Sequence, residues 1–367
     1  MSFTEFCCRA GGSNLNAGTL DGGPTEVSTT PFATYVSGSW DGVDRFLCAT
    51  ENPSSGGVVA GYFVGISLNT TTTFASGLYR IASVTSNSII VDVTTSGAIA
   101  RMPSGNGIHT CRVGGAWSGP SGAVNVNLGA YPFLAVSNRM RMTGFSPPRI
   151  NVKNDQTYNW TSAMSLALPG PIQYRGYQNT YGDDGRFTIQ GPVAGGAIAL
   201  LTIGSAAIYS TLWNVNIFNN GATSSASILT FNNTYCQNGN ILVSGSRGIG
   251  ITLGGAYASI DNFEIVDCNK NNTANTPPLA LNSTNNYAAN GLIHHSSGSN
   301  TMGIRSSDSA STLENLVVAF NSGEGIFVNS SSLNGGVRII NCDIYGNGRN
   351  GIYVSGNNAG LHQIYYK

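Results

Sequence analysis

A short phrase returns through the second half of this chain. Asn214-Val215-Asn216-Ile217-Phe218-Asn219-Asn220-Gly221 comes back as Asn262-Phe263-Glu264-Ile265, as Asn315-Leu316-Val317-Val318, and as Asn341-Cys342-Asp343-Ile344-Tyr345-Gly346-Asn347-Gly348. The form is Asn, apolar, variable, apolar, then an Asn/Gly turn. The copies start 48, 53 and 26 residues apart, which is two coils, two coils and one coil of roughly 22 to 26 residues. A second signature opens the following strand: Gly250-Ile251, Gly303-Ile304, Gly325-Ile326-Phe327-Val328 and Gly351-Ile352-Tyr353-Val354. A unit of this size cannot bury its apolar face alone and must stack on its neighbours.

Alternation along a strand sends Val215, Phe263, Leu316 and Cys342 inward in one column and Ile217, Ile265, Val318 and Ile344 in a second. Asn suits the turns because its amide bonds nearby backbone, tolerates left-handed conformations and can stack on the Asn of the next coil. Asn233-Thr234-Tyr235-Cys236-Gln237-Asn238-Gly239 reads as a further copy with Cys236 inward. Residues 269 to 300 fit poorly, which predicts a longer loop around Pro277-Pro278.

Composition supports strands over helices. Only 9% of residues are charged, against roughly 25% in ordinary soluble domains, and exposed helices are built from such residues. Seventeen basic and seventeen acidic residues cancel, and no Lys/Arg run offers itself to phosphates, so nucleic acid is not the expected partner. No apolar stretch approaches the ~18 to 20 residues of a membrane span, and Met1 to Gly12 lack the basic-then-apolar pattern of a leader. The expectation is synthesis in the cytoplasm without a signal peptide and no membrane insertion. Seven cysteines without Cys-x-x-Cys spacing read as free, mostly buried thiols. No cofactor and no metal are expected.

Upstream, Pro148-Arg149-Ile150-Asn151-Val152, Trp160 to Met164, Ile172 to Tyr177 and Phe187 to Gly191 read as earlier strands. The solenoid is expected to run from about residue 111 to 367 as about ten coils, or ~48 Å at the ~4.8 Å strand spacing. Residues 28 to 110 lack the repeat. Phe46 to Ala49, Val58 to Val64, Leu78 to Val84 and Ser88 to Val93 read there as strands of a small inserted antiparallel domain. Residues 1 to 27 would supply the solenoid's first strand and cap, pairing with the strand at 111 to 113. The fold class is thus all-β: a parallel β-helix with an antiparallel insertion near the N-terminus.

Gly12-Ser13-Asn14-Leu15-Asn16-Ala17-Gly18-Thr19, followed by Pro31-Phe32-Ala33-Thr34, resembles the opening segment of right-handed parallel β-helix proteins of the pectate-lyase-like superfamily. The resemblance covers that motif and the coils, about two-thirds of the chain. It implies fold more than function, because the superfamily holds polysaccharide lyases and hydrolases, phage tailspikes and fibres, and bacterial surface proteins. For a phage fibre, spike or decoration protein it implies a homotrimer with an apolar side face, other virion proteins as partners, and a surface polysaccharide as ligand.

An enzyme of this fold needs acidic or basic groups converging across neighbouring coils. Glu264 and Asp343 share one outward column, about three coils or ~14 Å apart, beyond the ~5 to 9.5 Å of a glycosidase pair. Asp183 and Asp184, beside Arg186, are the densest charge, yet flanking glycines also make them a turn. The catalytic candidates are therefore Asp183, Asp184 and Glu264, each with solvated surface or a turn as the plainer reading. Tyr174, Tyr177 and Tyr181 could form a sugar-stacking platform or simply fill strands. His294 and His295 are adjacent, so on a strand they would point to opposite faces and could not share a metal. The last strand-like run, Leu361 to Tyr366, lacks a polar cap, so Lys367 is expected to be a truncation or to meet a partner.

Overall fold

The computed structural model describes residues 4–13, 17, 20, 21, 23–40, 45–68, 77–91, 105–116, 148–160, 164–166, 172–191, 200–204, 209–219, 227–270, 276–307, 310–329, 336–355 and 363–365. Every regular element among them is a strand, and none is a helix long and apolar enough to cross a membrane. The chain forms two compact units: Met1–Gln156 with Ile172–Gly185, and Thr157–Pro171 with Arg186–Lys367.

The first unit contains a closed antiparallel barrel. Its strands follow the order Ala33–Trp40, Arg45–Leu47, Ser88–Val91, Gly77–Val84, Phe63–Leu68 and Gly105–Val113. Tyr35, Phe46, Val64, Ile81, Ile89, Val91, Cys111 and Val113 fill it. Gly38 is glycine for want of room, since a Cβ there would lie 2.0 Å from the Phe46 ring. The stretch 58 to 62, expected as strand, is irregular with a turn at 60 and 61, bent at Gly61 with φ of 93°. The flanking pairing also differs from expectation. Gly105–Val113 belongs to the barrel, pairing with both Ala33–Trp40 and Phe63–Leu68, while Thr4–Cys8 pairs in parallel with Pro148–Lys153, and that strand with Gln173–Tyr177. A strand has only two sides to pair, and both sides of 105 to 113 are taken inside the barrel.

The second unit is a parallel β-solenoid. One sheet stacks Met164–Leu166, Leu201–Ile203, Leu229–Phe231, Ile251–Leu253, Leu279–Leu281, Ile304–Ser306, Ile326–Asn329 and Ile352–Ser355. The other stacks Thr211–Phe218, Gln237–Ser244, Ser259–Val266 and Tyr287–His294 in strict register. It continues through Thr312–Glu314 with Val317–Ala319 and Arg338–Ile340 with Asp343–Tyr345. The column Ile217, Val243, Ile265, Ile293, Val318 and Ile344 runs through six rungs without a slip. All are buried except Ile344, which with Cys342 is only half-buried in the last rungs.

One coil escapes the sequence pattern for a packing reason. The predicted loop at 269 to 300 contains a full rung, in which Gly291 pairs with Phe263. A Cβ on Gly291 would lie 2.3 Å from the Phe263 ring, so Phe263 fills the place of both residues and the apolar signal at 291 vanishes. Pro278 occupies the corner held elsewhere by Gly250, Gly303, Gly325 and Gly351, its carbonyl accepting from Ile251 N at 2.8 Å. The missing copy between 214 and 262 is Asn240-Ile241-Leu242-Val243, not the segment at 233, and Cys236 is buried in the turn before it. All seven cysteines are free, and burial pushes Cys48 up to about 11 and Cys268 up to about 12.

The phrase-opening asparagines bend every long rung. Asn214, Asn240, Asn262, Asn290, Asn315 and Asn341 are left-handed, with φ between 50° and 60°, the conformation Asn adopts at least cost among non-glycine residues. Their amides form a ladder. Nδ2 donates to Oδ1 from Asn240 to Asn214 at 2.9 Å, from Asn262 to Asn240 at 3.4 Å, from Asn315 to Asn290 at 3.1 Å and from Asn341 to Asn315 at 2.7 Å. Asn290 donates to Asp261 instead, at 2.7 Å, and Arg186 Nε donates to Asn240 Oδ1 at 2.7 Å.

Asn315→Ala removes one ladder bond on each side and places a Cβ-bearing apolar residue at φ 53°. Its denaturation midpoint is expected to fall, by about 2 kcal/mol when converted to stability. Asn315→Gly, which keeps the conformation and loses only the ladder, should lose about half as much. Equal losses in urea titrations would show that the ladder, not the backbone, is what Asn supplies.

Candidate functional site

Because the rungs are in register, any residue type that recurs at one turn becomes a line on the surface. The turn before the long rungs carries Tyr209, Tyr235 and Tyr257, then Asn285 and Ala310, each five residues ahead of its ladder position and each left-handed. The three tyrosines are 56%, 50% and 48% exposed. Their rings stack, Tyr209 on Tyr235 at 5.5 Å and 24°, and Tyr235 on Tyr257 at 4.8 Å and 9°. Stacking pairs the ring faces with one another, so the stack turns edges and hydroxyls outward. A left-handed backbone costs a bulky residue about 1 to 2 kcal/mol, whereas Asn285 shows that the same turn accepts the residue best suited to it. Three tyrosines at this cost are not what the turn requires.

The strand beside this stack adds further groups. Trp213 lies over Gly239, where a Cβ would come within 2.5 Å of the indole, and its Nε1 donates to Gln237 O at 3.1 Å. On the same outward column Asp261 follows Gly239, then Ala289 and Glu314. The Tyr287 hydroxyl donates to Glu314 Oε2 at 2.9 Å. From Trp213 to Glu314 the face spans four rung spacings, ~19 Å.

A second constellation forms where the long rung ends. Glu264 pairs with Leu292 across the register, and His294 extends from the same strand as Leu292. His294 Nε2 lies 3.1 Å from Glu264 Oε1, and His294 Nδ1 lies 2.6 Å from His295 Nδ1. The two histidines therefore meet, contrary to the alternation expected of neighbours on a strand. His295 is the left-handed residue that ends the strand, with φ 56°, and the reversal brings its ring back against that of His294. Phe320, at the equivalent place of the next rung, packs on the His295 ring at 5.2 Å, and Tyr345 meets Phe320 edge-on at 5.5 Å. Sequence reasoning missed both constellations. The only signal was the recurrence of Tyr at intervals of 26 and 22 residues.

The remaining sequence candidates lie in the first unit. The Asp183 carboxylate accepts from the backbone N–H of Gln178 at 2.8 Å, Asn179 at 2.7 Å, Thr180 at 3.1 Å and Gly185 at 3.1 Å. It holds the loop together, while Asp184 is exposed. Tyr174 and Tyr177 are interior, at 4% and 0% exposure: alternation in Gln173–Tyr177 sends them to opposite faces, and Tyr177 is buried on its own face against Cys7 and Ala116. Tyr177 meets half-buried Tyr181 edge-on at 4.8 Å and shares a hydrogen bond of 3.3 Å with Cys7 Sγ. These three tyrosines form no exposed platform. Among the described residues no group of three or more His, Cys, Asp or Glu side chains could hold a metal ion.

No known family model matches the chain, and no curated protein matches it in sequence. Solved structures similar to it are parallel β-helix proteins. The mannuronan C-5 epimerase AlgE4 A-module of Azotobacter vinelandii is 12% identical over 60% of this chain and 68% of its own, with a TM-score of 0.43. The catalytic domain of a GH87 α-1,3-glucanase in complex with nigerose is 12% identical over 92% and 84%, with a TM-score of 0.28. The tailspike protein gp49 of Pseudomonas phage LKA1 is 12% identical over 91% and 63%, with a TM-score of 0.21. At these identities and TM-scores the likeness assigns nothing further to the chain.

Burial of Asp183 raises its pKa, but the four backbone donors outweigh it and hold the carboxyl down to about 2. A folded pKa below that of unfolded Asp, ~3.9, contributes stability above that value and loses it as pH falls through about 2. Asp183→Asn is accordingly expected to lower the denaturation midpoint at neutral pH, with the gap to wild type closing between about pH 4 and about pH 2. A gap of constant size down to pH 2 in parallel denaturant titrations would show that the charge contributes nothing.

Proposed function

We propose that the chain is a non-enzymatic, glycan-contacting β-helix protein, a virion component of tail fibre, spike or decoration type that meets a surface polysaccharide. The observation that carries the reading is the stack of Tyr209, Tyr235 and Tyr257, exposed and held at a backbone conformation that tyrosine does not favour. Rigid aromatic groups with edges and hydroxyls turned outward, beside Trp213, Asp261, Tyr287 and Glu314, suit a ligand rich in hydroxyls. Assembly as a homotrimer and attachment to other virion proteins are part of the same proposal and rest on the resemblance of the opening segment. Against a glycosidase pair stands the spacing of Glu264 and Asp343, separated in register by Leu292 and Val317.

One observation favours a second reading, a polysaccharide lyase or glycoside hydrolase: the contact of Glu264 with His294 and of His294 with His295. New reducing ends or unsaturated uronates, released from a polysaccharide by the wild type and not by His295→Ala, would establish it.

The primary reading is tested on an array of neutral and uronate-containing oligosaccharides. Wild type is expected to bind at least one class, and Tyr235→Ala, which leaves Tyr209 and Tyr257 two rungs apart, should weaken that binding about tenfold. Binding untouched by Tyr235→Ala would move the contact off the stack, and a wild type that binds no glycan would sink the proposal.

A further inference from the structure

The turn that closes each long rung repeats at Gly245, Asp267, His295, Phe320 and Gly346, all left-handed, with φ of 80°, 58°, 56°, 55° and 64°. Glycine at two of the five rungs is what such a turn takes at least cost. An imidazole at 295 and a phenyl ring at 320 serve something other than the bend. Both are exposed, Phe320 by 49%. Asp267, one rung before His295, is ion-paired with Lys270.

Hydrogen-bond polarity along Glu264, His294 and His295 fixes both ring tautomers. An ionised carboxylate only accepts, so the hydrogen in its 3.1 Å contact sits on His294 Nε2. A neutral imidazole carries a single N–H, which leaves His294 Nδ1 an acceptor. The hydrogen in the 2.6 Å contact between the two Nδ1 atoms then belongs to His295, and His295 Nε2 is left bare. The carboxylate at one end thus sets the chemistry of an exposed nitrogen two rings away.

We infer that Glu264, His294 and His295 build a subsite for a sugar hydroxyl, in which His295 Nε2 accepts the hydrogen bond and the Phe320 ring beside it packs against the sugar. The nature of the ligand rests on the glycan reading above; the tautomer assignment does not. The same chain can pass a proton without moving a ring. A proton taken up at His295 Nε2 makes one N–H bond there. The Nδ1–H bond of His295 breaks, an Nδ1–H bond forms on His294, and the positive charge settles beside Glu264. The donor oxygen keeps its electron pair.

Long-range proton–nitrogen correlation spectra of the full chain, labelled with 15N-histidine and recorded at alkaline pH, read the tautomers directly. The expected result is His294 in the Nε2–H form that free imidazole side chains prefer, and His295 in the Nδ1–H form, the reverse of that preference. Glu264→Ala, which removes the acceptor that keeps the hydrogen on His294 Nε2, should return His295 toward the Nε2–H form. His295 found as Nε2–H in the wild type overturns the subsite. On the oligosaccharide array, His295→Ala and Phe320→Ala should each weaken a bound glycan about tenfold or more. A glycan held equally well by both variants overturns the ligand assignment and leaves the glycan reading intact. Absence of any glycan binding, with the tautomers as expected, overturns the glycan reading and the ligand class with it.

Discussion

Rung-on-rung pairing in strict register is the constraint on which the solenoid depends. A parallel strand meets the backbone of its neighbour only if each coil returns to the same axial place after 22 to 28 residues. The chain must therefore bend at the same points every time, and the left-handed residues at the three turn columns do this. Asn at the mid-rung bend combines a tolerated backbone with an amide that bonds the coil above and below. The inward column from Ile217 to Ile344 is the consequence, since a one-residue slip would expose it.

The same register turns sequence recurrence into surface chemistry. Residues about one coil apart in the chain become neighbours ~4.8 Å apart on the outside. Three tyrosines in otherwise unrelated sequence thus become a stack, and two histidines come into reach of a glutamate thirty residues upstream. In both places the turn is strained for the residue it holds, while another rung carries Asn or Gly. The core does not need these side chains, which line the exposed surface of the solenoid.

Legibility of the fold followed the apolar signal. The phrase was readable where both inward positions carry bulky residues, as at Val215 with Ile217 or Leu316 with Val318, although the copy at Asn240-Ile241-Leu242-Val243 was passed over for the segment at 233. It failed at Asn290-Gly291, where Phe263 occupies the space of its partner, and the rung there read as a loop around two prolines that are in fact buried corners. In the barrel the strand at 33 to 40 and the first part of the strand at 105 to 113 went unread because polar residues, Gly38 and Gly107 interrupt their alternation. The histidines were misplaced because alternation was carried one residue past the end of the strand, where His295 reverses it.

By itself the sequence determined the all-β class, the coil length and the two inward columns. These depend on local preference and periodicity, which neighbouring residues settle among themselves. Only the tertiary structure decided which outward residues meet, where Thr4–Cys8 finds its partner, and that Tyr174 and Tyr177 are interior while Tyr209, Tyr235 and Tyr257 are not. Those outcomes depend on how many residues each turn spends before the next rung begins. Turn lengths vary from coil to coil, and only pairing with the previous rung fixes them.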